Sequence, residues 1–256
     1  MALLATYPSL ANRVVLITGG ASGIGAEMVR QFARNGAKAA FVDIQDQAAR
    51  ALVTEVAPHC PHAPQFHRCD ITDIPALQSA IEAVHAALGP ITVLVNNAGN
   101  DERHQSRDVT PEYWHRTLAL NLDHQFFACQ AVRTQMRAAG GGAIINLSSI
   151  AWMGGGAPNL VAYSAAKAAI VGMTNSLARE FGDDRIRVNA IAPGAVITPR
   201  QLNLWYSDAD VDAIVARQCL KERLLASDIA RLALFLAADD SRMITKQCYV
   251  IDAGLR

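Results

Sequence analysis

The sequence predicts an α/β fold: a single doubly wound domain over residues 1–256, with a seven-stranded parallel sheet and helices on both faces. Three observations lead to this prediction. Seven short apolar runs alternate with segments whose apolar residues recur at helical spacing. The runs are apolar throughout, which is typical of parallel strands buried on both faces. No repeat, low-complexity tract or linker divides the 256 residues.

The predicted elements follow one another in a regular order. The first strand, RVVLITG, leads through a glycine-rich turn into a helix over 24–37, where Gly36 suits a helix C-terminus. Asp73 is the expected N-cap of the third helix. The least regular stretch, residues 194–220, is expected to form a flap over a site. The other expected strands are 39–43, 64–71, 91–99, 142–149, 186–194 and 247–254, and the other expected helices are 45–57, 73–89, 111–138, 161–181 and 227–238.

Charge and cysteine content exclude several classes of protein. The 23 Lys and Arg residues balance the 23 Asp and Glu residues, whereas nucleic-acid binders normally carry a basic excess. The five cysteines contain no CxxC pair, so we expect neither a disulfide framework nor a metal site. We find no secretion signal and no apolar run long enough to span a membrane. These features predict a cytoplasmic globular protein.

The turn TGGASGIG, residues 18–25, places four glycines between the first strand and the first helix. In a dinucleotide-binding turn, one glycine makes the tight turn, one admits the pyrophosphate and one lets helix and strand pack closely. The helix N-terminus then faces the phosphates. An ordinary glycine-rich turn is the alternative interpretation. The residues expected to contact the dinucleotide here are Gly19, Ser22, Gly23, Ile24 and Gly25.

Asp43 ends the second predicted strand, 18 residues after Gly25, and is followed by Ile44. A carboxylate at this place accepts hydrogen bonds from the adenosine ribose hydroxyls and repels a 2′-phosphate. No Lys or Arg in the glycine-rich turn offsets that repulsion. The sequence therefore predicts NAD rather than NADP as cofactor. The alternative is that Asp43 caps the next helix.

Further motifs occur in a fixed order: CDI (69–71), NNAG (96–99), LALNL (118–122) with Asn121, LSS (147–149), YSAAK (163–167) and PGAVIT (193–198). Together with the glycine-rich turn they resemble the short-chain dehydrogenase/reductase family over nearly the whole chain. The resemblance implies a Rossmann fold and contacts to the adenine, the nicotinamide ribose and the carboxamide. The residues so implied are Asp70 and Ile71, then Asn97, Ala98 and Gly99, then Pro193, Gly194, Val196 and Thr198.

Tyr163 and Lys167 are four residues apart on a predicted helix, so they share one face. A phenol normally titrates near pH 10, and a neighbouring ammonium lowers that value. Tyr163 is therefore the expected base, and Lys167 is also expected to bind the nicotinamide ribose. By resemblance, Asn121 positions a water beside Lys167. A surface Tyr–Lys pair is the alternative.

The catalytic serine is expected to be Ser149, which would hold the reacting oxygen. It precedes Tyr163 by 14 residues, one more than the family's usual spacing of about 13, so the intervening segment looks one residue longer. Ser148 is the alternative, and choosing it would lengthen the spacing further.

The variable segments are unusually polar for a site that binds a steroid or an acyl chain. They include NDERH (100–104) and RQLNLWY (200–206), which, with the terminal IDAGLR, are similar to the bacterial NAD-dependent aldose 1-dehydrogenases of D-xylose type. The resemblance implies oxidation of a cyclic monosaccharide at C1 to the lactone, with D-xylose, L-arabinose, D-galactose or L-fucose as candidates. A solvated loop is the alternative for NDERH. The expected substrate contacts are Asn100, Asp101, His104, Ser149, Asn159 and Trp205.

Two other functions remain open at this stage. A 3-oxoacyl reductase would need a basic patch for its acidic carrier, for which Arg133 and Arg137 are candidates, but Asp43 opposes its expected NADPH. A non-catalytic nucleotide sensor would be expected to lack part of the Asn–Ser–Tyr–Lys set, which is complete here. By resemblance, the long helices near 111–138 and 161–181 are expected to pair into a homotetramer.

Overall fold

The computed structural model describes residues 4–153 and 158–256. The strands form one sheet of seven, all parallel, which confirms the predicted fold class. They are β1 (Val14–Thr18), β2 (Lys38–Asp43), β3 (Gln65–Arg68), β4 (Ile91–Asn96), β5 (Gly142–Leu147), β6 (Ile186–Pro193) and β7 (Cys248–Ile251). Their order across the sheet is β3-β2-β1-β4-β5-β6-β7.

Helices cover both faces of the sheet, because the apolar strands present side chains on each side. They are α1 (Gly23–Arg34), α2 (Asp46–Val56), α3 (Ile74–Leu88), α4 (Pro111–Leu118), α5 (His124–Ala138), α6 (Val161–Glu180), α7 (Pro199–Leu204), α8 (Asp208–Arg217) and α9 (Ala226–Ala237). Helices α1, α2 and α9 share one hydrophobic cluster with the sheet, and α3, α5 and α6 share the other.

Three local expectations can be compared with the structure. Asp73 is the N-cap of α3, as predicted, because its carboxylate accepts a hydrogen bond from Ala76 N at 3.0 Å. The helix predicted over 111–138 is interrupted by a π-helical turn, Ala119–Asp123, between α4 and α5. The flap, predicted to be irregular, contains α7 and α8. Both helices begin at hydroxyl N-caps, Thr198 and Ser207.

The strand order creates a crevice at one edge of the sheet. The chain proceeds from β1 outward to β3 and then returns to β4, which pairs with the other side of β1. The connections after β1 and β4 therefore diverge, and in open α/β sheets ligands bind at the carboxyl ends of such strands. Among the described residues, no helix combines the length and the hydropathy needed to cross a bilayer.

Candidate active site

A cavity of about 830 Å³ lies over the carboxyl ends of the central strands. Its walls come from the β1–α1 turn, the ends of β2, β4, β5 and β6, one face of α6, and α7. The cavity thus occupies the crevice that the strand order creates. No group of three or more potential metal-binding side chains occurs within the described ranges.

The glycine-rich turn forms one end of this cavity, and its geometry requires glycine. Gly19 and Gly23 have positive φ values of 67° and 55°. A Cβ on Gly25 would lie 1.9 Å from Gly19 O and 2.6 Å from Asn97 Nδ2. The N-cap of α1, Ser22, makes no side-chain capping bond. The helix therefore presents unpaired N–H groups toward the cavity, as phosphate binding at a helix N-terminus needs.

The loop after β4 is tied directly to this turn. Thr18 Oγ1 accepts hydrogen bonds from the backbone N–H groups of Asn97 and Ala98, each at 3.0 Å. The Asn97 side chain donates to Thr18 O and Gly19 O, also at 3.0 Å. Asn97 thus braces the glycine-rich turn from the neighbouring strand, which explains why these two distant motifs occur together.

The Asp43 carboxylate lines the cavity at the end of β2, where the sequence predicted a contact with the adenosine ribose. Its two oxygens accept hydrogen bonds from Ala21 N and Gln45 N, both at 2.9 Å. Asp43 is not the N-cap of α2, which is Gln45. It does brace the glycine-rich turn. Oδ1 also accepts a hydrogen bond from Gln45 Nε2 at 3.4 Å, whereas Oδ2, among the described residues, accepts only the one from Ala21 N and keeps a lone pair for a further donor. Ile44 beside it is 60% exposed.

The other predicted cofactor contacts line the same cavity. Asp70 is fixed by hydrogen bonds from the N–H and hydroxyl of Thr72, at 2.9 and 2.7 Å. A Cβ on Gly194 would lie 2.7 Å from Asp252 Cβ, so the segment after β6 packs closely on the C-terminal strand. The further predicted residues on the cavity wall are Ile71, Asn97, Ala98, Gly99, Pro193, Val196 and Thr198.

The structure brings the predicted Ser–Tyr–Lys–Asn set together. Lys167 Nζ lies 5.5 Å from the centre of the Tyr163 ring and donates to Leu147 O at 2.9 Å. Asn121 and Lys167 both approach Gly99 from the same side, since a Cβ placed on Gly99 would lie 2.8 Å from Asn121 Oδ1 and 3.3 Å from Lys167 Nζ. Asn121 lies in the π-helical turn, a local geometry that often marks functional sites.

The two candidate serines have different surroundings. Ser148 is buried, donates to Lys167 O at 2.6 Å and accepts from Trp152 Nε1 at 3.1 Å. Ser149 Oγ instead accepts a hydrogen bond from Ala151 N at 3.1 Å, and its hydroxyl lowers the pKa of the Tyr163 phenol. This geometry favours Ser149 as the predicted serine. Residues 154–157, in the segment with the extra residue, lie outside the described residues.

The pKa of the Tyr163 phenol depends on more groups than the neighbouring Lys167 that the sequence suggested. Burial raises the pKa of Tyr163, and the Asp101 carboxylate raises it further, while Ser149 and Arg200 lower it. Burial lowers the pKa of Lys167 to about 7. The lowering of the Tyr163 pKa by Lys167 stays a prediction for the complex with the oxidised cofactor.

Four polar side chains in the cavity that contains Tyr163 form what we call the polar wall: Asn100 and Asp101 from the loop after β4, and Arg200 and Gln201 from α7. Arg200 Nη1 lies 2.5 Å from Asp101 Oδ1, and Arg200 Nη2 lies 2.6 Å from Asn100 Oδ1. Gln201 Nε2 donates to Asp101 Oδ2 at 3.0 Å. The RQLNLWY segment was singled out in the sequence, but nothing local in it indicated that Arg200 pairs with Asp101.

Three predicted substrate contacts do not lie on the cavity wall: His104, Asn159 and Trp205. The His104 ring packs against the Tyr113 ring, with centroids 4.0 Å apart, and His104 N donates to Asn159 O at 2.8 Å. Trp205 packs under the Arg103 guanidinium, 4.8 Å from the ring centre. The physical reason is that aromatic contacts hold the His104 ring against Tyr113 of α4 and the Trp205 ring against Arg103, whereas Arg103 itself still lines the cavity.

The fold and the glycine-lined cavity define a dinucleotide-binding protein of Rossmann type. A family model described as "Enoyl-(Acyl carrier protein) reductase" matches residues 19–256. The chain belongs to the short-chain dehydrogenase/reductase family and is an oxidoreductase.

Named relatives match almost the whole chain. A protein from Caulobacter vibrioides named D-xylose 1-dehydrogenase is 49% identical over 98% of this chain and 99% of its own. A protein from Rhizobium meliloti named as a probable galactose dehydrogenase is 47% identical over 97% of each chain. Among solved structures, 7α-hydroxysteroid dehydrogenase complexed with NADH and 7-oxo glycochenodeoxycholic acid has a TM-score of 0.92 and 29% identity. That match covers 99% of this chain and 98% of the other.

Proposed function

We propose that this protein is an NAD-dependent aldose 1-dehydrogenase, which oxidises a cyclic monosaccharide at C1 to its lactone. The observation that carries the proposal is the near-full-length identity of 47–49% to relatives named for D-xylose and galactose. The polar wall in the cavity that contains Tyr163 supports it, because sugar hydroxyls need directed hydrogen bonds.

The residues present fit a nicotinamide dinucleotide. The free N–H groups at the start of α1 suit the pyrophosphate, and the glycines leave room that any Cβ would fill. The Asp43 carboxylate favours the ribose hydroxyls of NAD over a 2′-phosphate. When bound, the cofactor accepts the hydride from the substrate carbon.

The chain's own residues supply the proton chemistry. Tyr163 accepts the proton from the C1 hydroxyl as general base, and Ser149 holds the same oxygen by a hydrogen bond. Lys167 adds positive charge beside the phenol and binds the nicotinamide ribose. Asn121 positions a water that carries the proton onward from Lys167. These roles follow the family resemblance and are consistent with the distances around Gly99.

An acyl or steroid substrate fits this cavity less well. The Asp101 carboxylate and the Arg200 guanidinium on its wall would be desolvated by an apolar ligand without compensation. The basic patch considered for binding an acyl carrier is also weakened, because the positive charge of Arg133 is already paired with two carboxylates. Arg133 lies 2.6 Å from Glu180 and 2.8 Å from Asp184. A 3-oxoacyl or other secondary-alcohol oxidoreductase of the same family stays the alternative.

We also propose how the protein is organised. The whole chain acts as one catalytic unit, with residues 194–220 as the flap that covers the substrate. By family resemblance it assembles as a homotetramer in the cytoplasm. The five cysteines are all free thiols, which suits a reducing compartment.

A panel of pentoses and hexoses tests the proposal. Each sugar is assayed with NAD⁺ and with NADP⁺ by the absorbance of reduced nicotinamide, beside a 3-oxoacyl thioester and a ketosteroid assayed in the reductive direction. We expect at least one of the four candidate aldoses to be oxidised with NAD⁺ and a lactone to form. Oxidation of no aldose together with reduction of an acyl or steroid ketone would overturn the sugar assignment and leave the dehydrogenase chemistry standing.

A further inference from the structure

The ion pair between Asp101 and Arg200 joins two elements that are otherwise separate. Asp101 lies in the loop after β4, and Arg200 lies in the first turn of α7, 99 residues further along the chain. The side chain of Asp101 is 16% exposed and that of Arg200 is 43% exposed. Both line the cavity that also contains Tyr163. The pair is therefore neither a solvated surface pair nor a fully buried one.

Asp101 is held as a carboxylate. Burial raises the pKa of Asp101, but the hydrogen bonds from Gln201 and Arg200 outweigh burial and leave that pKa below its usual value. The pair is therefore ionised at neutral pH and carries no net charge. A neutral ligand can approach it without facing an unbalanced charge.

Both partners keep unused hydrogen-bonding capacity. Within the described residues, each Asp101 oxygen accepts one side-chain hydrogen bond, and the backbone N–H of Asp101 adds one more to the carboxylate, which can accept about four in all. The Arg200 guanidinium has five donors, and the described contacts use one toward Asp101 and one toward Asn100. The pair therefore offers a spare acceptor next to a spare donor, which matches two neighbouring hydroxyl groups on one ligand.

The position of the pair fixes which part of a ligand it meets. The charges of Asp101 and Arg200 both act on the phenol of Tyr163, in opposite directions. Both groups line the cavity that also contains Tyr163 and Ser149, so the pair borders the space in which the substrate would bind. In a cyclic aldose C1 has one ring-carbon neighbour, C2, so the two adjacent hydroxyls closest to the reacting carbon are those of C2 and C3.

A second contact holds the same two elements together. The Arg103 guanidinium lies 4.8 Å from the centre of the Trp205 ring and 5.5 Å from that of Tyr206. This stacking joins the loop after β4 to the C-terminal end of α7, while Asp101 and Arg200 join it to the N-terminal end. The orientation of Arg200 is consequently set before any ligand binds, which favours specific recognition.

We propose that Asp101 and Arg200 together bind two adjacent ring hydroxyls of the aldose and so determine which sugars are oxidised. The proposal rests on the proposed function. It assigns to Arg200 a specificity-determining contact, and it makes Asp101 a direct acceptor rather than only an anchor of the flap.

The test is a substrate-deletion cycle. Wild type, Asp101→Asn, Arg200→Gln and Arg200→Lys are assayed with the best aldose and with its 2-deoxy, 3-deoxy and 4-deoxy analogues. We expect Asp101→Asn and Arg200→Gln to lower kcat/KM for the parent sugar by about 10- to 100-fold. For each variant there should be one deoxy analogue, the one that lacks the hydroxyl bound by the substituted residue, for which kcat/KM changes by less than about threefold. With that analogue the contact is already absent from the wild-type complex. Arg200→Lys keeps the positive charge but loses the paired N–H donors of the guanidinium. Its kcat/KM for the parent sugar should therefore lie between those of wild type and Arg200→Gln.

A matched control separates binding from a purely structural effect. Glu55→Gln breaks an ion pair to Arg30 with nitrogen–oxygen distances of 2.7 Å, between α1 and α2 and off the cavity wall. It should leave the preference among parent and deoxy sugars unchanged. Arg200 lies near the surface, so Arg200→Gln serves if Asp101→Asn does not fold. Equal losses for the parent and all three deoxy sugars would show that the pair only secures the flap, and would overturn the proposal.

The pH profile gives a second readout. The groups acting on Tyr163 from the packed elements are Asp101, Arg200, Tyr206 and the Ser149 hydroxyl, with Lys167 beside the ring. Removing the negative charge in Asp101→Asn favours the phenolate, so the acidic limb of kcat/KM should move to lower pH. In Arg200→Gln the acidic limb should move to higher pH. Identical profiles in both variants would place the pair away from the reacting oxygen. If the wild type oxidises no aldose, the proposed function fails before this test begins.

Discussion

Cofactor preference should depend on Asp43. In NADP a 2′-phosphate replaces the ribose hydroxyl that this carboxylate is placed to accept from. Unit charges about 5 Å apart repel by about 3 kcal/mol at an effective dielectric constant near 20. That energy corresponds to a preference of about 100-fold for NAD⁺ in kcat/KM, before the second phosphate charge is counted.

The double substitution Asp43→Ser with Ile44→Arg should reverse this preference. It removes the carboxylate and places a guanidinium at a position that is 60% exposed, where a long charged side chain fits. The hydrogen bonds from Ala21 N and Gln45 N are lost, and the buried Ala21 N–H, left unpaired, costs about 1–3 kcal/mol of unfolding free energy. A lower Tm should therefore accompany the switch.

The assay compares kcat/KM for NAD⁺ and NADP⁺ in wild type, the double variant and Ile44→Arg alone. Ile44→Arg alone keeps the Asp43 carboxylate, so it should change the ratio of kcat/KM for NAD⁺ to kcat/KM for NADP⁺ by much less than the double variant. Equal or better turnover of wild type with NADP⁺ would refute the electrostatic reasoning. So would a double variant that folds, binds NADP⁺ and keeps the original ratio.

Three further predictions concern the base, the glycine-rich turn and the assembly. Tyr163→Phe should lower kcat by about 10²–10⁴-fold without changing the Kd of NAD⁺ in a fluorescence titration, and retention of a tenth of the activity would contradict the assignment. Gly25→Ala should lower the Tm by roughly 3–10 °C and weaken NAD⁺ binding, because its Cβ would meet Gly19 O at 1.9 Å. Gly182→Ala, whose Cβ meets nothing within 4 Å, should leave both unchanged in the same melting and titration measurements. Light scattering at micromolar concentration should give four times the chain mass of 27.4 kDa, and a monomer would contradict the tetramer.

The elements and much of the cofactor site could be predicted because their signals are local in the chain. Strand and helix periodicity, the glycine-rich turn and the four-residue spacing of Tyr163 and Lys167 each depend on short segments. Their placement around one cavity then follows from the strand order, since parallel strands bring their carboxyl ends to one edge. The π-helical turn holding Asn121 was not predicted, because an added residue in a helix leaves the apolar pattern on either side nearly intact.

The composition of the polar wall could not be predicted from the sequence and depends on tertiary structure. The polarity of residues 100–104 predicted a contact surface but not which of its side chains would point inward. His104 packs on Tyr113 and faces away from the cavity, while Asp101 pairs with Arg200 across 99 residues of chain. The sequence by itself determined the class of enzyme and predicted where its dinucleotide binds, because both depend on backbone geometry that only certain residues allow. Only the tertiary structure decided which polar groups line the cavity, because that depends on how a loop and a short helix dock through many contacts that leave no periodic signal.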